Sequence, residues 1–473
     1  MHTEPIPNKW NESTDVIVIG SGFAGLSAAI EAAEAGAEVM VLEKMKIKGG
    51  NSRISDGALA VAGSDWQLRD GVKDSPKRMQ SDMQAAGLGL NHPELTALVT
   101  RESANILNWT IDHLGVRYMD RLDQLGGHSV PRSLTTHNNS GVAIVRKQLV
   151  HLESLQVNIR TRAYLTSLLR DSQGTVRGVA YRNGYLFGQP DSGETLTLAA
   201  RKAVILTTGG FGADVPFRSV QDPRLDERIA HTNHRGATAE GLIAALKLGA
   251  TPVHLSWIQL GPWACADEKG YGKGASFVSY AVFSGGIIVN PKTGERFVNE
   301  LADRRVRADA ILKTGQVCIG VVDSVGAARG EKMLAACLKR AYVQKFDHLG
   351  QLAEAYGMPP ERFFATVERY NSAFGDRSQD EMGKPLLPGT GPIVDPPFYG
   401  VRIWPKVHYT MGGLRINPRA AVIDLAGRPI PGLFAAGEVT GGIHGASRLG
   451  SCAIPECLIM GRLAGKSAVK KEY

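Results

Sequence analysis

The sequence predicts an α/β fold in which one domain, built on a β-α-β unit, is interrupted by a second domain of mixed α+β character. Three observations predict it. A β-branched run, Asp15 to Gly20, passes through glycines into an alanine-rich helical segment and then into a second apolar run, Glu38 to Glu43. Another apolar run, Ala203 to Gly210, also ends in glycines, and strand-like segments return near the C-terminus. Between about Ser256 and Val407 the character changes to aromatics, charged helical segments and a proline-rich connection. At 473 residues the chain exceeds the ~250–300 at which a single core stops growing, so two units are expected.

Taken in order, Asp15 to Gly20 reads as a buried strand, Leu26 to Ala35 as a helix closed by Gly36, and Glu38 to Glu43 as a second strand. A β-rich stretch from Val157 to Leu198 carries hairpin signals at Asn183-Gly184 and Asp191-Ser192-Gly193. Charged helices are expected at Gly330 to Phe346 and Glu361 to Phe374, and prolines connect at Pro385 to Pro397. "GLFAAGE", Gly432 to Glu438, reads as a strand, followed by a helix from Pro455 to Ala468. The domain boundaries follow: residues 1–255 and 408–473 form the interrupted domain, and 256–407 the inserted one.

Hydrophobic residues at 43% and charged residues at 21% are ordinary for a globular protein, while 55 glycines exceed the usual share of roughly 7%. The net charge of +8 is spread along the chain, so no nucleic acid is expected; an anionic cofactor and an anionic substrate account for the excess. Five cysteines without CxxC or CxxCH argue against a zinc site, an attached c-type haem or a disulfide scaffold, and no metal is expected. The N-terminal stretch lacks a basic region followed by an apolar one, and no apolar run approaches the ~18 residues of a membrane span. A cytoplasmic location is the default, with the periplasm the alternative for a processed, exported chain.

Gly20-x-Gly22-x-x-Gly25 stands between strand and helix, the context in which the first glycine makes the turn, the second admits a pyrophosphate to the helix N-terminus and the third lets helix and strand pack. Glu43 ends the second strand, placed for a ribose hydroxyl, and Lys44 follows it. This alone does not separate NAD from FAD. Gly49-Gly50-Asn51-Ser52 and the distant "AAGEVTGGIHG", with Gly437 and Glu438, form two further glycine clusters, which suit an extended FAD better.

The stretches "IVIGSGFAGLSAAIEAAEAGAEVMVLEK", "KGGNSRISDGAL", "LTTGGFGAD", "TNHRGATAEG", "GERFVNELADRR", "HYTMGGLRI" and "PGLFAAGEVTGGIHGASRLGSCAIPECLIMGRLAG" together resemble the fumarate reductase and succinate dehydrogenase flavoprotein family. The soluble fumarate and urocanate reductases look closest, and the 3-ketosteroid dehydrogenases more distant. The resemblance implies a Rossmann-like FAD-binding domain interrupted by a capping, or clamp, domain, with the active site between them. Asn51 stands where membrane-bound members carry a histidine bonded to FAD, which implies non-covalent FAD. Gly57 and Gly209 fall in cofactor-binding segments of the resemblance. Glu438 resembles the glutamate that holds the ribityl chain, and the run Leu449 to Ile454, with Gly450, Cys452, Ala453 and Ile454, resembles the backbone beneath the flavin; Cys452 departs from the usual asparagine.

Reduction of an activated C=C bond needs a hydride donor, cationic groups on the activating carboxylate or carbonyl, and an acid for the α carbon. The resemblance places His408 and Arg448 on the carboxylate and Arg304 as proton donor, with Arg448 also beside the flavin. It breaks at two points. The family's relay glutamate and arginine correspond to Tyr280 and Phe283, and the "HPT" that holds a distal carboxylate reads Gly261-Pro262-Trp263. A dicarboxylate would lose partners, so the reading is an enoate reductase for a non-fumarate substrate, bulkier or aromatic, in a pocket lined by Trp257, Trp263, Phe277, Tyr280 and Phe283, with Tyr280 as a candidate relay group. True fumarate reduction, 3-ketosteroid-type dehydrogenation and an electron-transfer flavoprotein without this chemistry stay open. Electrons must come from a separate donor: a cytochrome, a quinol, or a reduced nicotinamide or flavin.

Overall fold

The computed structural model describes residues 6–375 and 379–473; the first five residues of the polar N-terminal stretch lie outside the described residues. The chain divides into two compact units. One comprises the described residues up to Asp226 together with Asn233–Ile258 and Tyr409–Tyr473. The other comprises Gln259–His408 and a short earlier excursion, Glu227–Thr232.

The first unit is organised on an eight-stranded sheet. Strand β1 (Glu12–Ile19) lies near its middle, parallel both to β2 (Val39–Glu43) and to Glu194–Leu206. Pro429–Ala435 continues the parallel set beyond Glu194–Leu206, and Asn158–Thr161 continues it beyond β2. Val16, Ile17 and Val18 are fully buried, which is why the run is continuously apolar: a parallel strand covered on both faces has no solvent side to mark. Helix α1 (Phe23–Glu34) follows β1. The hairpin signals hold, since Val176–Asn183 and Glu194–Leu206 run antiparallel with Asn183 opposite Glu194. The last helix, Ala453–Lys470, packs along α1.

The second unit carries a five-stranded antiparallel sheet in the order Glu295–Arg296, Ile287–Asn290, Cys318–Val322, Phe398–Ile403, Val343–Phe346. The helix expected from Gly330 to Phe346 is therefore two elements. It ends at Lys339, Ala341 takes a positive φ of 54°, and Val343–Phe346 becomes an edge strand on Phe398–Ile403. A β-branched and an aromatic residue placed for pairing outweigh the helical charge pattern that precedes them. The helix expected at Glu361 to Phe374 spans Pro360–Asn371.

A buried ion-pair network fixes the segment "ERFVNE". Arg296 pairs with Glu300 and with Asp380, each at 2.7 Å, and Lys384 lies 3.4 Å from Glu300. Glu300 has no exposure, so only these cations and the Ile288 N–H make its charge tolerable there. The helix Arg304–Lys313 starts just beyond, N-capped by Asp303, whose carboxylate accepts from the Arg305 N–H at 2.9 Å.

Candidate active site

The first unit holds a cleft at the C-terminal ends of β1 and β2. Its floor is the turn Gly20 to Ala24. Gly20 has φ +106°, and a side chain there would meet the Thr207 carbonyl at 2.4 Å; a Cβ on Gly25 would lie 2.0 Å from the Gly20 carbonyl. Gly22, the N-cap of α1, offers no side chain, so the amides of the first helical turn open toward the cleft, an arrangement that binds phosphate. Ser52 closes one side, its hydroxyl accepting from the Phe23 N–H at 2.9 Å.

Glu43 lines the cleft and is held by its neighbours. One oxygen accepts from the Ser21 hydroxyl at 2.6 Å and the Ser21 N–H at 3.1 Å, the other from the Met45 N–H at 2.8 Å. Lys44 also lines the cleft, with its ammonium 3.0 Å from Glu240. Asn51 bridges to the segment after residue 232: its amide donates to Asn233 at 2.7 Å and its oxygen accepts from the His234 N–H at 2.6 Å. Gly49, Gly50, Gly209, Gly437 and Glu438 complete the predicted residues on the lining. A glycine turn under a helix N-terminus and a fixed carboxylate at the end of β2, both on one cleft, fit an extended dinucleotide such as FAD.

Gly25, Gly57, Arg448, Gly450, Cys452, Ala453 and Ile454 are not among the described residues lining this cleft. Gly57 serves packing, since a Cβ there would meet Thr136 Oγ1 at 2.5 Å. The glycines of "HYTMGG" also approach protein rather than open space: a Cβ on Gly412 would lie 2.2 Å from the His254 carbonyl, and one on Gly413 2.2 Å from that of Val439.

Behind the cleft lies a group of buried polar side chains. Glu438 accepts from the Thr410 N–H at 2.9 Å, and burial pushes its carboxyl up to about 7 against the pull of Thr410 and Arg448. Glu456, on the last helix, is 1% exposed; burial and the nearby Glu438 push it up to about 8. The Arg448 guanidinium stands 4.5 Å over the Tyr409 ring and donates to the Leu449 carbonyl at 3.0 Å. Tyr409 meets His444 edge-on at 5.7 Å, and burial beside Arg448 takes His444 down to about 3, so that imidazole is neutral.

In the second unit the structure gathers His408, Trp263 and Arg304. The Trp263 indole meets the His408 ring edge-on, 4.9 Å between centroids at 82°, and the Arg304 guanidinium lies 4.3 Å over the same indole. Thr232 Oγ1 is 2.7 Å from His408 Nδ1, and Arg304 reaches Gln259 Oε1 at 3.4 Å. Residue 261 beside it is glycine, where a Cβ would lie 3.3 Å from the indole, a close contact. Lys406, on the strand leading to His408, ties it to the Cys265 carbonyl at 2.8 Å.

The other aromatics divide differently. Phe277 and Phe283 are core residues of the second unit, 0% and 3% exposed, in the same apolar cluster as Trp263. Tyr280 is half-buried on the π-turn Val278–Val282 and packs on that core, and Trp257 belongs to the first unit. Sequence reasoning missed Thr232, Gln259, His444 and Glu456. Thr232 opens the quoted "TNHRG" and His444 sits in "GGIHG", so both were visible as motif residues without a role.

Fold and cleft together define an FAD-binding oxidoreductase. The family described as FAD binding domain matches residues 15–454, nearly the whole chain, and the chain belongs to it. Over 465 residues it is 41% identical to the acrylate reductase flavoprotein subunit of Shewanella woodyi, covering 97% of this chain and 92% of that one. It is 34% identical to the urocanate reductase of Eggerthella lenta, covering 98% of this chain and 75% of that one. Among solved structures, the open conformation of a flavocytochrome c3 fumarate reductase superposes with a TM-score of 0.78 at 31% identity, over 98% of this chain and 79% of that one.

Proposed function

We propose that the chain is the flavin subunit of a reductase for a short α,β-unsaturated monocarboxylate, with FAD held non-covalently. The observation that carries this reading is the cluster around Trp263. Where a second carboxylate-binding histidine would be needed for a dicarboxylate, residue 261 has no side chain and an indole fills the space beside His408. Similarity to an acrylate reductase subunit supports a small acid over an aromatic one.

Each residue then has a role. In this reading the Thr232 hydroxyl, 2.7 Å from His408 Nδ1, donates to it, so that Nε2 carries the proton and donates to one carboxylate oxygen of the substrate. Arg448, in the first unit, offers a planar fork suited to a carboxylate and to drawing charge onto it as the bond is reduced. The chemistry that bound, reduced FAD supplies is a hydride for the β carbon. Arg304 gives the proton to the α carbon, so the product is the saturated acid. Stacking on Trp263 fixes the plane of this guanidinium, and in this reading the second unit, which carries it, acts as a cap. Asn51 holds Asn233 and His234, supporting a cofactor site without the bonding histidine. Electrons arrive from a separate donor.

The test is anaerobic. Protein reduced with dithionite is mixed with acrylate, and the oxidised flavin absorbance is followed. Rapid return of the absorbance with one equivalent of propionate formed is expected; a spectrum that stays bleached with acrylate, crotonate and urocanate alike would overturn the reading.

A further inference from the structure

Three side chains from three separate segments of the first unit converge away from the cofactor cleft. Glu34 ends α1, His113 ends the π-turn Trp109–His113, and His151 stands in the helix Val142–Ser154. Both imidazole Nε2 atoms lie 2.7 Å from the same oxygen, Glu34 Oε1, and the ring centroids are 4.6 Å apart. One donor atom from each residue falls within 4.8 Å of the others.

We propose that Glu34, His113 and His151 form a binding site for one divalent first-row transition-metal ion, Zn²⁺ being the ion of best fit. Two imidazole nitrogens and one carboxylate oxygen are a borderline donor set suited to such ions, whereas Ca²⁺ and Mg²⁺ require oxygen ligands. With metal–ligand bonds of about 2.0–2.2 Å in a tetrahedral site, donor atoms stand roughly 3.3 Å apart. Each imidazole–carboxylate pair, now 2.7 Å apart, needs only to open by about half an ångström, and the two imidazole nitrogens stand within 4.8 Å of each other. They have the freedom to do so: the side chains are 38%, 24% and 32% exposed for His113, His151 and Glu34, and that exposure leaves the fourth position to water.

Two further observations support the site. His113 is presented by a π-turn, a backbone irregularity frequent at functional sites, and its ring stacks on Trp109 at 5.8 Å, which limits its rotation. The local charge also suits a cation. Partial burial would raise the Glu34 carboxyl, but hydrogen bonds from His151 and His113 bring it below its usual value, so it is ionised at neutral pH. Arg462, the cation stacked on Trp109, is itself neutralised by Glu31 at 2.8 Å. A metal here would join the end of α1, whose other end faces the cofactor, to two neighbouring helical segments.

The experiment uses FAD-loaded protein freed of metal with EDTA, titrated with Zn²⁺ by calorimetry at about pH 7.5 and pH 5.5. One ion per chain is expected at the higher pH with a rise in unfolding temperature, and binding is expected to weaken at the lower pH, since protons compete with a metal ion for its ligands. The double variant His113→Gln/His151→Gln and, separately, Glu34→Gln keep similar size and are checked by FAD content. Each should weaken binding by more than the 10–100-fold typical of losing an outer-shell partner. Absence of binding to the wild-type protein, or unchanged stoichiometry and affinity in the double variant, would overturn the proposal.

Discussion

The cofactor cleft and the cluster at His408 are built by opposite means. The cleft is a backbone structure: Gly20, Gly22 and Gly25 shape it, and each works by having no side chain. The cluster is a side-chain structure, in which Thr232, Trp263, Arg304 and His408 come from four stretches of the second unit and meet through rings, a guanidinium and one hydrogen bond. A backbone site tolerates almost no change. A side-chain site can exchange one group for another, as an indole beside His408 illustrates, and so can change substrate while the cofactor chemistry persists.

The largest expected effect is therefore in the cleft. Gly25→Ala places a methyl about where the Gly20 carbonyl stands, and the variant should be isolated without bound FAD, seen directly as loss of the 450 nm absorbance. Next comes Arg304→Met. It should keep its FAD while the reduction rate falls by roughly 10²–10⁴, the range for a lost general acid. If FAD is lost as well, the separation between the two regions is broken.

Thr232→Val removes the hydroxyl 2.7 Å from His408 Nδ1, and an effect of about fivefold on kcat/KM is expected from one hydrogen bond worth roughly 1 kcal/mol. The smallest effect belongs to Glu456→Gln and appears as pH dependence. The folded protein holds a proton on Glu456 up to about pH 8, whereas an unfolded chain releases it near 4.5. Between those values the folded state binds the extra proton, so this group makes stability fall as pH rises. Unfolding temperatures of the variant should decline less than those of the wild-type protein from pH 5 to pH 8.

The same contrast governs what could be read from the sequence. β1, α1, β2 and Glu43 were legible because each depends on neighbours in the chain: glycine spacing, apolar runs and a carboxylate at a strand end. The strand Val343–Phe346 was not, since its partner Phe398–Ile403 lies some fifty residues away and the preceding helix carries the stronger local pattern. His408, Arg304 and Arg448 came from motif likeness, whereas Thr232 became visible only when a fold brought it across 176 residues to His408. Phe277 and Phe283 show the limit of residue type as a signal: an aromatic residue read as lining also packs in the core of the second unit, as Trp263 does.

The central claim is that the cluster selects a monocarboxylate. Its most direct test is the ratio of kcat/KM for acrylate to that for fumarate, measured on the wild-type enzyme with one reduced artificial donor. A buried carboxylate left without a partner costs several kcal/mol, so the ratio should exceed about 100. A ratio near one, or a preference for fumarate, would contradict the account and require another residue to hold the second carboxylate.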